Sequence, residues 1–491
     1  MVEDRRAPAA AAAAAVDLGR PLRVHVVGVG GAGMSAIAEV LAVMGHRVSG
    51  SDAAPSAALE RLRELGVDVA VGHDPRHGDD AEVVTMSSAV PLDNPEVAAA
   101  RSRRVPVLRR AEILAAIAAR RRTIAVAGTH GKTTTSAMLA TALAGAGLRP
   151  SFIVGGAIAG IGSGARWDDG EWLVVEADES DGTFLELAPE LAVVTSVAPD
   201  HLDHWGGFDL LVSAFDRFAA DAPRALVCAD DEIATRVGER AGAATYGTTE
   251  GADFRLCGLE LASGASRFSL EWSGRVLGEV RVPAPGRHNA LNATAALGAA
   301  VLAGAPFEPM AAALAAYPGV ARRFQRRGQA RGVTFVDDYA HLPAKVAAAV
   351  AAARGGGWQR VVCVFQPHRY SRTETLWRDF ATAFDGVDLL VVTDVYGAGE
   401  APRPGVTGKL IVDAVLEARP TQAIAWLPRR EDVLGYLRGR LRPGDLCLTL
   451  GAGDITTLAD DLLGSWADDP AAGPRRPEDP PVGDASPGRA P

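Results

Sequence analysis

The stretch IAVAGTHGKTTTSAMLATAL, residues 124–143, decides the fold of this chain of 491 residues. It opens with small apolar residues, Ile124–Ala127, a composition that favours a buried strand. A glycine-rich turn follows, and the alanine- and leucine-rich run from Ser136 to Leu143 predicts a helix. A strand, a glycine turn and a helix in this order form one unit of an α/β fold. We therefore expect further units of this kind on both sides.

Apolar strand-like runs do recur along the chain, and each is followed by an alanine- and leucine-rich helical stretch. They are Arg23–Gly28, Val83–Ser87, Leu173–Glu176, Leu191–Ser196, Arg360–Phe365 and Leu389–Asp394. Continuous Val, Ile and Leu strands that alternate with helices indicate parallel sheets covered on both faces. Residues 252–285 alternate between apolar and polar with Gly/Ser turns, which predicts a small antiparallel β-subdomain. The fold class predicted is α/β.

Composition and charge exclude several classes of function. The formal net charge is −10 and aromatic residues make up 5%, which disfavours a nucleic-acid binder, a membrane-surface binder and a base-stacking platform.

No run approaches the ~20 apolar residues that span a bilayer, so we expect no membrane insertion. Four cysteines stand far apart, and three of them lie in apolar runs. This pattern predicts buried free thiols in a reducing compartment, the cytoplasm.

Length favours about three domains, at roughly 150 residues each. The chain has two predicted joints, one near Arg120–Thr123 and one near Tyr317–Phe324. The ends are poor in large apolar residues, which predicts disordered tails. The predicted boundaries are a tail at 1–20, domains at 21–120, 121–321 and 322–466, and a tail at 467–491.

The turn GVGGAG, residues 28–33, follows the first predicted strand and precedes a predicted helix. Its glycines allow the backbone to approach a diphosphate, whose charge meets the N-terminus of the helix. The second strand ends at Ser51 and Asp52, where a carboxylate can accept a hydrogen bond from a ribose hydroxyl. A tight turn without a ligand is the alternative, and the motif alone would also suggest NAD(P). The residues assigned to this site are Gly28, Gly30, Gly31, Ala32, Gly33, Met34, Ser51 and Asp52.

The second glycine-rich loop predicts a triphosphate site. Backbone N–H groups of such a loop wrap phosphate oxygens, Lys132 contributes a charge to the β- and γ-phosphates, and the Thr133 hydroxyl is suited to Mg²⁺. The Walker pattern is incomplete, because Val126 stands where its first glycine would be. The residues assigned to this loop are Gly128, Thr129, His130, Gly131, Lys132, Thr133 and Thr134.

Polar clusters follow the next two strands, at the strand ends where α/β proteins bind ligands. EADESD, residues 176–181, suits a hard cation, and Glu176 is the favoured metal ligand. Asp178 and Asp181 are weaker candidates, since such residues also cap helices. In PDHLDH, residues 199–204, His201 is predicted to bind a second metal ion or to face the substrate, although a structural role remains open.

These motifs, taken in order, resemble the Mur ligase family. GVGGAGMSAIAEVL, GTHGKTTT, EADESD, DHLDH, GRHNALNA, RRFQ, DDYAHLP, QPHRYSRT and GAGD follow one another between about Leu22 and Leu463. The family's ATP loop also lacks the first Walker glycine. The resemblance implies an ATP- and Mg²⁺-dependent ligase that joins L-alanine to the lactyl carboxylate of UDP-N-acetylmuramate through an acyl-phosphate, for peptidoglycan synthesis. The alternative is a ligase that reattaches recycled murein peptide to the same sugar nucleotide.

The resemblance also implies a role for each domain. The N-terminal Rossmann-like domain would bind the UDP-sugar, the central P-loop domain ATP, and the C-terminal Rossmann-like domain the amino acid. UDP-sugar contacts at Ser87 and Ser88 are implied, and a second Mg²⁺ at His201. The implied contacts of the ATP and amino-acid sites are Asn289, Asn292, Arg323, Asp338, His341, Arg369, Tyr370 and Arg372. A monomer or a homodimer is expected.

The C-terminal cluster leaves alternatives open. Arg369 and Arg372 either clamp a phosphate or carboxylate, which we favour, or form a solvated surface. His341 is the candidate for the base that takes the amine proton, and a structural histidine is equally compatible with the sequence. The turns 394–400 and 451–454 either shape the amino-acid pocket or are plain turns.

Residue chemistry leads to the same function by a separate route. Two phosphate cradles on one chain imply two nucleotides, and amide formation in water requires an activated carboxyl. Phosphoryl transfer can supply it, with Lys132 and Mg²⁺ stabilising the transferred charge. A nucleotide-sensing protein without catalysis and an NAD(P) dehydrogenase are the rival readings, and neither explains both cradles with their Lys132, Thr133 and Glu176.

Overall fold

The computed structural model describes residues 16–262 and 264–467. The predicted C-terminal tail, 467–491, lies outside this range except for Ala467, the last residue of a helix, and the first fifteen residues of the N-terminal tail lie outside it too. The prediction that the tail extends to residue 20 is wrong at its end, because Val16 and Leu18 are 7% and 5% exposed and pack in the core. None of the described helices combines the length and the apolarity that a membrane crossing requires.

The described residues form two compact units, which divide between Arg323 and Phe324. Within the described residues the strands build three sheets, two in the first unit and one in the second. The first sheet lies inside the predicted range 21–120, the second inside 121–321, and the third inside 322–466.

The N-terminal sheet is parallel and has the strand order β3-β2-β1-β4-β5. The chain leaves β1 in one direction for β2 and β3, then returns to the other side for β4 and β5. The carboxyl ends of β1 and β4 therefore flank a switch point, where open α/β sheets bind their ligands. The elements are β1 (Arg23–Val27), α1 (Ala32–Val43), β2 (Arg47–Asp52), α2 (Ala57–Glu64), β3 (Asp68–Val71), β4 (Val83–Met86), α3 (Pro95–Ser102), β5 (Val107–Arg109) and α4 (Arg110–Ala118).

The central sheet surrounds the strand that opened the sequence argument. Its elements are β6 (Arg122–Ala127), α5 (Lys132–Gly145), β7 (Ser151–Ile158), β8 (Ser163–Arg166), β9 (Trp172–Glu176), β10 (Leu191–Val194), α6 (Leu202–Trp205), α7 (Phe208–Asp221), β11 (Arg224–Cys228), α8 (Glu232–Ala241), β12 (Ala244–Gly247), β13 (Phe254–Ala262), β14 (Ala265–Trp272), β15 (Arg275–Val282), α9 (Arg287–Leu302) and α10 (Phe307–Ala315). The order is β15-β14-β13-β12-β11-β10-β6-β9-β7-β8, so β6 lies between β10 and β9. The polar segments after these three strands consequently meet at one edge.

The predicted antiparallel strands are confirmed, since β13, β14 and β15 pair antiparallel. They do not stand apart as a subdomain of their own. β12 pairs with β13 in parallel, and this pairing joins the antiparallel arm to the central sheet.

The third sheet has the order β16-β17-β21-β18-β19-β20, with only the edge strand β16 antiparallel among the strands described here. Cys363 and Phe365 of β18 pack in one core cluster and Val362 and Val364 in another, because successive side chains point to opposite faces. Both faces are covered, and the α/β class is confirmed. The elements are β16 (Gln325–Ala330), β17 (Val333–Asp338), α11 (Pro343–Arg354), β18 (Arg360–Phe365), α12 (Tyr370–Leu376), β19 (Leu389–Val392), α13 (Lys409–Ala418), β20 (Ile424–Trp426), α14 (Arg430–Arg440), β21 (Asp445–Leu450) and α15 (Leu458–Ala467).

Candidate active site

The first glycine turn connects β1 to α1 and is shaped by two close approaches. Gly28 has φ +78°, and a Cβ there would lie 2.9 Å from Val90 and 3.0 Å from Ser87. The amide of Gly30 donates to Oδ2 of Asp52 at 2.8 Å, and a Cβ on Gly30 would be 2.8 Å from that oxygen. Glycine is required at both positions for these reasons. The N-terminus of α1 has neither a side-chain cap nor an acidic residue in its first turn, so its amides are open to an anion.

Two residues assigned to this turn have other roles in the structure. Ser51 is fully buried and donates its hydroxyl to Glu96 at 2.5 Å, so its side chain is engaged within the protein, and its place at the UDP-sugar site stays a prediction. Its carbonyl accepts the amides of Gly28 and Val29 and thereby supports the turn. Met34 is 2% exposed, and its side chain packs in the core. Ser88, which the resemblance assigns to the same UDP-sugar site, is exposed to solvent.

Glu96 is a functional candidate that the sequence did not reveal. Its carboxylate is buried and lies 2.8 Å from His77, 3.4 Å from His25 and 3.4 Å from His73. Burial alone would raise its pKa, but hydrogen bonds from His25, Ser51 and His77 lower it to about 2. Glu96 therefore stays ionised and holds the end of β2 in place behind the glycine turn.

The second glycine loop runs from β6 into α5, which begins at Lys132 and not at the predicted Ser136. Lys132 and Thr133 therefore belong to the first turn of the helix. Gly128 and Gly131 have φ of +130° and +87°. Like α1, α5 begins without a side-chain cap or an early acidic residue, which suits a phosphate.

The segment after β10 holds this loop from behind. Thr129 and Ala198 are joined by two hydrogen bonds: the amide of Ala198 donates to Oγ1 of Thr129 at 2.9 Å, and this hydroxyl donates to the Ala198 carbonyl at 3.2 Å. The amide of His130 donates to the hydroxyl of Ser196 at 3.0 Å. The loop is thus fixed before any nucleotide arrives, which lowers the entropy cost of binding.

Lys132 is held by a carboxylate that was not among the predicted site residues. Its Nζ donates to both oxygens of Glu179, at 2.7 and 2.9 Å, and to the carbonyl of Gly128 at 2.7 Å. The side chains of Lys132 and Glu179 are 13% and 1% exposed. Burial would lower the pKa of Lys132, but the neighbouring carboxylates of Glu179, Asp178 and Glu176 raise it. The ammonium group is therefore charged at neutral pH.

Thr133 and Glu176 lie together as the sequence predicts. The hydroxyl of Thr133 donates to Oε1 of Glu176 at 2.9 Å, and Arg323 donates to the same hydroxyl at 3.2 Å. Two adjacent ligands of an octahedral Mg²⁺ at about 2.1 Å are separated by about 3.0 Å, which this oxygen pair matches. No group of three or more His, Cys, Asp or Glu suited to a metal occurs in the described residues. Mg²⁺ in nucleotide sites usually takes one or two protein ligands, with phosphates and water completing its shell, so the pair fits.

The other acidic residues and His201 are less directly placed. Asp181 accepts the amide of Thr183 at 3.0 Å and Asp178 that of Ser180 at 3.2 Å, so each carboxylate bonds the backbone two residues further on. The short helix that begins at Thr183 has Gly182 as its N-cap and no side-chain cap, and the metal-binding roles of both residues stay predictions. His201 has φ +53° and lies 3.6 Å from a carboxylate oxygen of Asp200. Its metal-binding role stays a prediction.

The second turn of α9 lies against the nucleotide loop through Asn292. Oδ1 of Asn292 accepts a hydrogen bond from Thr135 at 3.2 Å and would be 2.5 Å from a Cβ on Gly131. Asn289 is 6% exposed and donates to the carbonyl of Pro285 at 2.7 Å. Asn292 therefore contacts the loop, and the adenine and ribose contacts that the resemblance implies for both asparagines stay predictions.

In the second unit, Asp338 and His341 are engaged with their own backbone. Asp338 accepts the amides of Phe324 at 2.7 Å and Ala340 at 2.8 Å. Nδ1 of His341 lies 2.9 Å from the carbonyl of Tyr339, which assigns the proton to that nitrogen. Burial lowers the pKa of His341 to about 3. It is therefore neutral at pH 7, and in this environment it is a weak proton acceptor.

The arginine loop and the two glycine turns of the second unit lie at the carboxyl edge of the third sheet. Arg372 donates to Nδ1 of His368 at 2.8 Å, and Arg369 takes φ +68° at the start of α12. A Cβ on Gly397 would lie 3.1 Å from the ring of Tyr370. The turns 394–400 and 451–454 contribute to one cavity of about 320 Å³, where Asp394 and Asp454 are among the lining residues. The structure therefore brings together two turns that the sequence could not rank.

Comparisons with known proteins agree in all three regions. Family models match at residues 23–122 for the Mur ligase family catalytic domain, 126–300 for the Mur ligase middle domain and 322–453 for the Mur ligase glutamate ligase domain. The UDP-N-acetylmuramate–L-alanine ligase of Anaeromyxobacter sp. (strain Fw109-5) is 46% identical over 452 residues, which cover 91% of this chain and 98% of that protein. The chain belongs to the Mur ligase family.

Further members of the family show how far the likeness extends. The UDP-N-acetylmuramate–L-alanine ligase of Solidesulfovibrio magneticus is 47% identical over 440 residues, 88% of this chain and 96% of that protein. The crystal structure of a UDP-N-acetylmuramate–alanine ligase from Thermotoga maritima superposes with TM-score 0.80 at 28% identity, covering 91% of this chain and 100% of that one. A murein peptide ligase from Psychrobacter arcticus reaches 0.66 at 20% identity, with coverage of 91% and 99%, and shows the shared fold alone.

For this Mur ligase, sequence reasoning found the loops and missed their side-chain partners. Glu179 lies inside the EADESD motif, three positions after Glu176. This position in the motif was the one sequence signal that Glu179 belongs to the site. Glu96 stands in no motif, and only the packing of β2 against α3 brings it to Ser51. Arg110 is a third such residue, and it is described below.

Proposed function

We propose that this Mur ligase joins L-alanine to the lactyl carboxylate of UDP-N-acetylmuramate and converts ATP to ADP and phosphate. The observation that carries the proposal is that α1 and α5, in the same unit, both follow glycine turns and begin without a side-chain cap. Lys132 and the Thr133–Glu176 pair lie at the start of α5. Relatives with 46% and 47% identity over about 90% of the chain bear the name of that activity. The peptide-reattaching alternative is named by two solved structures at 20% and 27% identity, the second covering 61% of this chain, and both identities are far below those of the L-alanine ligases.

In this proposal the loop before α5 binds ATP, and Lys132 moves from Glu179 to the phosphates. The charge of Lys132 is then available where negative charge spreads during phosphoryl transfer. Thr133 and Glu176 would hold Mg²⁺, which supplies Lewis-acid stabilisation of phosphate oxygens. The carboxylate of the sugar nucleotide attacks the γ-phosphorus, ADP leaves, and an acyl-phosphate remains.

The second half of the reaction forms the amide. The amine of L-alanine attacks the acyl carbonyl, a tetrahedral intermediate forms, and phosphate leaves as the amide appears. The ammonium group must first lose a proton. Nε2 of His341 carries the free lone pair, but the lowered pKa of this residue disfavours it as the base in the environment seen here. Cytoplasmic action is expected, in keeping with the buried free thiols of Cys228, Cys363 and Cys447.

The test is phosphate release from ATP with UDP-N-acetylmuramate and one amine at a time. L-Alanine should support turnover, while glycine, L-serine and the L-alanyl tripeptide of murein are compared at equal concentration. Turnover with the tripeptide and not with L-alanine would establish the alternative. A nicotinamide absorbance change without phosphate release would instead support a dehydrogenase.

A further inference from the structure

Arg110 lies beside the first glycine turn of the first unit. It begins α4 directly after β5, so it belongs to the same edge of the N-terminal sheet as the glycine turn after β1. Its guanidinium packs over the first turn of α1: a Cβ on Gly33 would be 3.4 Å from Nη1 and 3.6 Å from Cζ of Arg110. A planar cation with five N–H donors thus lies beside the open amides of the diphosphate cradle.

Arg110 makes no contact ion pair among the described residues. Over residues 16–262 and 264–467, this guanidinium makes no ion pair within 4 Å and no hydrogen bond. The neighbouring Arg109 differs, because it pairs with Glu112 at 3.1 Å and with Glu186 at 3.6 Å. Burial would raise the pKa of Asp178, and the charges of Lys132 and Arg110 help to lower it. Arg110 is therefore close enough to influence the acidic segment after β9, on the side of the ATP loop.

A half-buried guanidinium that makes no ion pair within 4 Å and lies against a glycine turn favours an anionic ligand. We propose that Arg110 binds the diphosphate of the sugar nucleotide and is a specificity-determining residue of that site. This inference rests on the proposed function, which supplies a nucleoside diphosphate as the ligand. The lactyl carboxylate is a second anion of the same substrate. The contact with Gly33, inside the cradle itself, favours the diphosphate.

The variants are Arg110→Ala and Arg110→Lys, with Arg109→Ala as the matched control. Binding of UDP and of UDP-N-acetylmuramate is measured by calorimetry without ATP, and binding of uridine by ligand-observed NMR. Arg110→Ala should weaken both diphosphate ligands by the same factor, about ten- to a hundredfold, since hydrogen bonds to charged groups contribute that much. Arg110→Lys should recover part of the loss, because it keeps the charge but not the fork.

The controls separate this effect from misfolding. Uridine, which has no phosphate, should bind the parent and Arg110→Ala equally. The affinity of every variant for ADP should stay within about twofold of the parent's. The affinity of Arg109→Ala for UDP should do the same, because half-exposed ion pairs contribute little. If Arg110→Ala also loses affinity for ADP, the test passes to Arg110→Lys. The inference then requires that Arg110→Lys loses affinity for UDP and keeps its affinity for ADP.

Equal UDP affinity in the parent and in both Arg110 variants would overturn the inference, as would an equal loss for uridine. A loss for UDP-N-acetylmuramate without a loss for UDP would also overturn it, and would place the guanidinium at the carboxylate. Failure of the parent to bind either diphosphate ligand would refute the proposed function itself, which is a distinguishable result.

Discussion

The pair of Lys132 and Glu179 allows stability and catalysis to be separated in a double-mutant cycle. The perturbations are Lys132→Met, Glu179→Gln and the two together. Each single change leaves one buried partner without the other, since the side chains are 13% and 1% exposed and the Nζ contacts both carboxylate oxygens. The double variant leaves two neutral side chains of nearly unchanged volume.

The expected magnitudes follow from that burial. Removal of one partner of a buried ion pair costs about 3–5 kcal/mol, whereas neutral replacement of both is close to neutral. At roughly 2 °C per kcal/mol for a unit of this size, each single variant should melt roughly 6–10 °C below the parent. The double variant should melt within about 2 °C of the parent, so the two effects are far from additive.

Activity should not follow stability. Lys132→Met and the double variant should both lose ATP-dependent phosphate release, because the charge that meets the phosphates is absent in both. Burial raises the pKa of Glu179, so its carboxylate is the costly form. A raised pKa in the folded state means that stability is lost as the pH rises above the ordinary glutamate value of 4.5, and the Lys132→Met penalty should be larger at pH 8 than at pH 4.5.

The measurements are thermal melts without nucleotide at both pH values and phosphate release at saturating substrates. Calorimetric binding of UDP, which uses the other cradle, reports whether each variant is folded at the assay temperature. A double variant as unstable as the sum of the singles would refute the ion-pair argument. Phosphate release by a stable double variant would remove Lys132 from the catalytic assignment.

Three other outcomes are expected. Asp52→Ala removes the acceptor of the Gly30 amide and should raise the KM for the sugar nucleotide several-fold with the KM for ATP unchanged; an unchanged sugar-nucleotide KM would mean that the first cradle is misassigned. Gly128→Ala places a methyl group 2.2 Å from the Thr195 hydroxyl at φ +130° and should lower ADP affinity at least tenfold by calorimetry while UDP binding persists; retained ADP affinity would contradict the role of this loop. The folded pKa of His341, about 3, is below its unfolded value, so its contribution to stability is present above about pH 6.5 and is lost as the pH falls. Urea unfolding of His341→Gln should therefore be less acid-sensitive than that of the parent between pH 6.5 and 4, by about 1 kcal/mol per pH unit, and identical slopes would contradict the burial argument.

Much of the fold follows from local pattern. The strands β6, β9 and β10 were predicted to within two residues because buried parallel strands are continuous apolar runs. The start of α5 was placed four residues late, since the sequence reads GKTTT as loop while the structure places Lys132 in the helix. Threonine and lysine are tolerated in a first turn whose amides remain open, and helix propensity does not reveal that boundary.

The sequence by itself determined the two phosphate cradles, because a strand, a glycine turn and a helix start are contiguous and a phosphate is bound mostly by their backbone. Only the tertiary structure decided which side chains complete or support them. Glu96 accepts the hydroxyl of Ser51, Glu179 pairs with Lys132, and Arg110 packs on Gly33. These pairs depend on which strands and helices become neighbours, and burial then gives each charge its partner or leaves it available for a ligand.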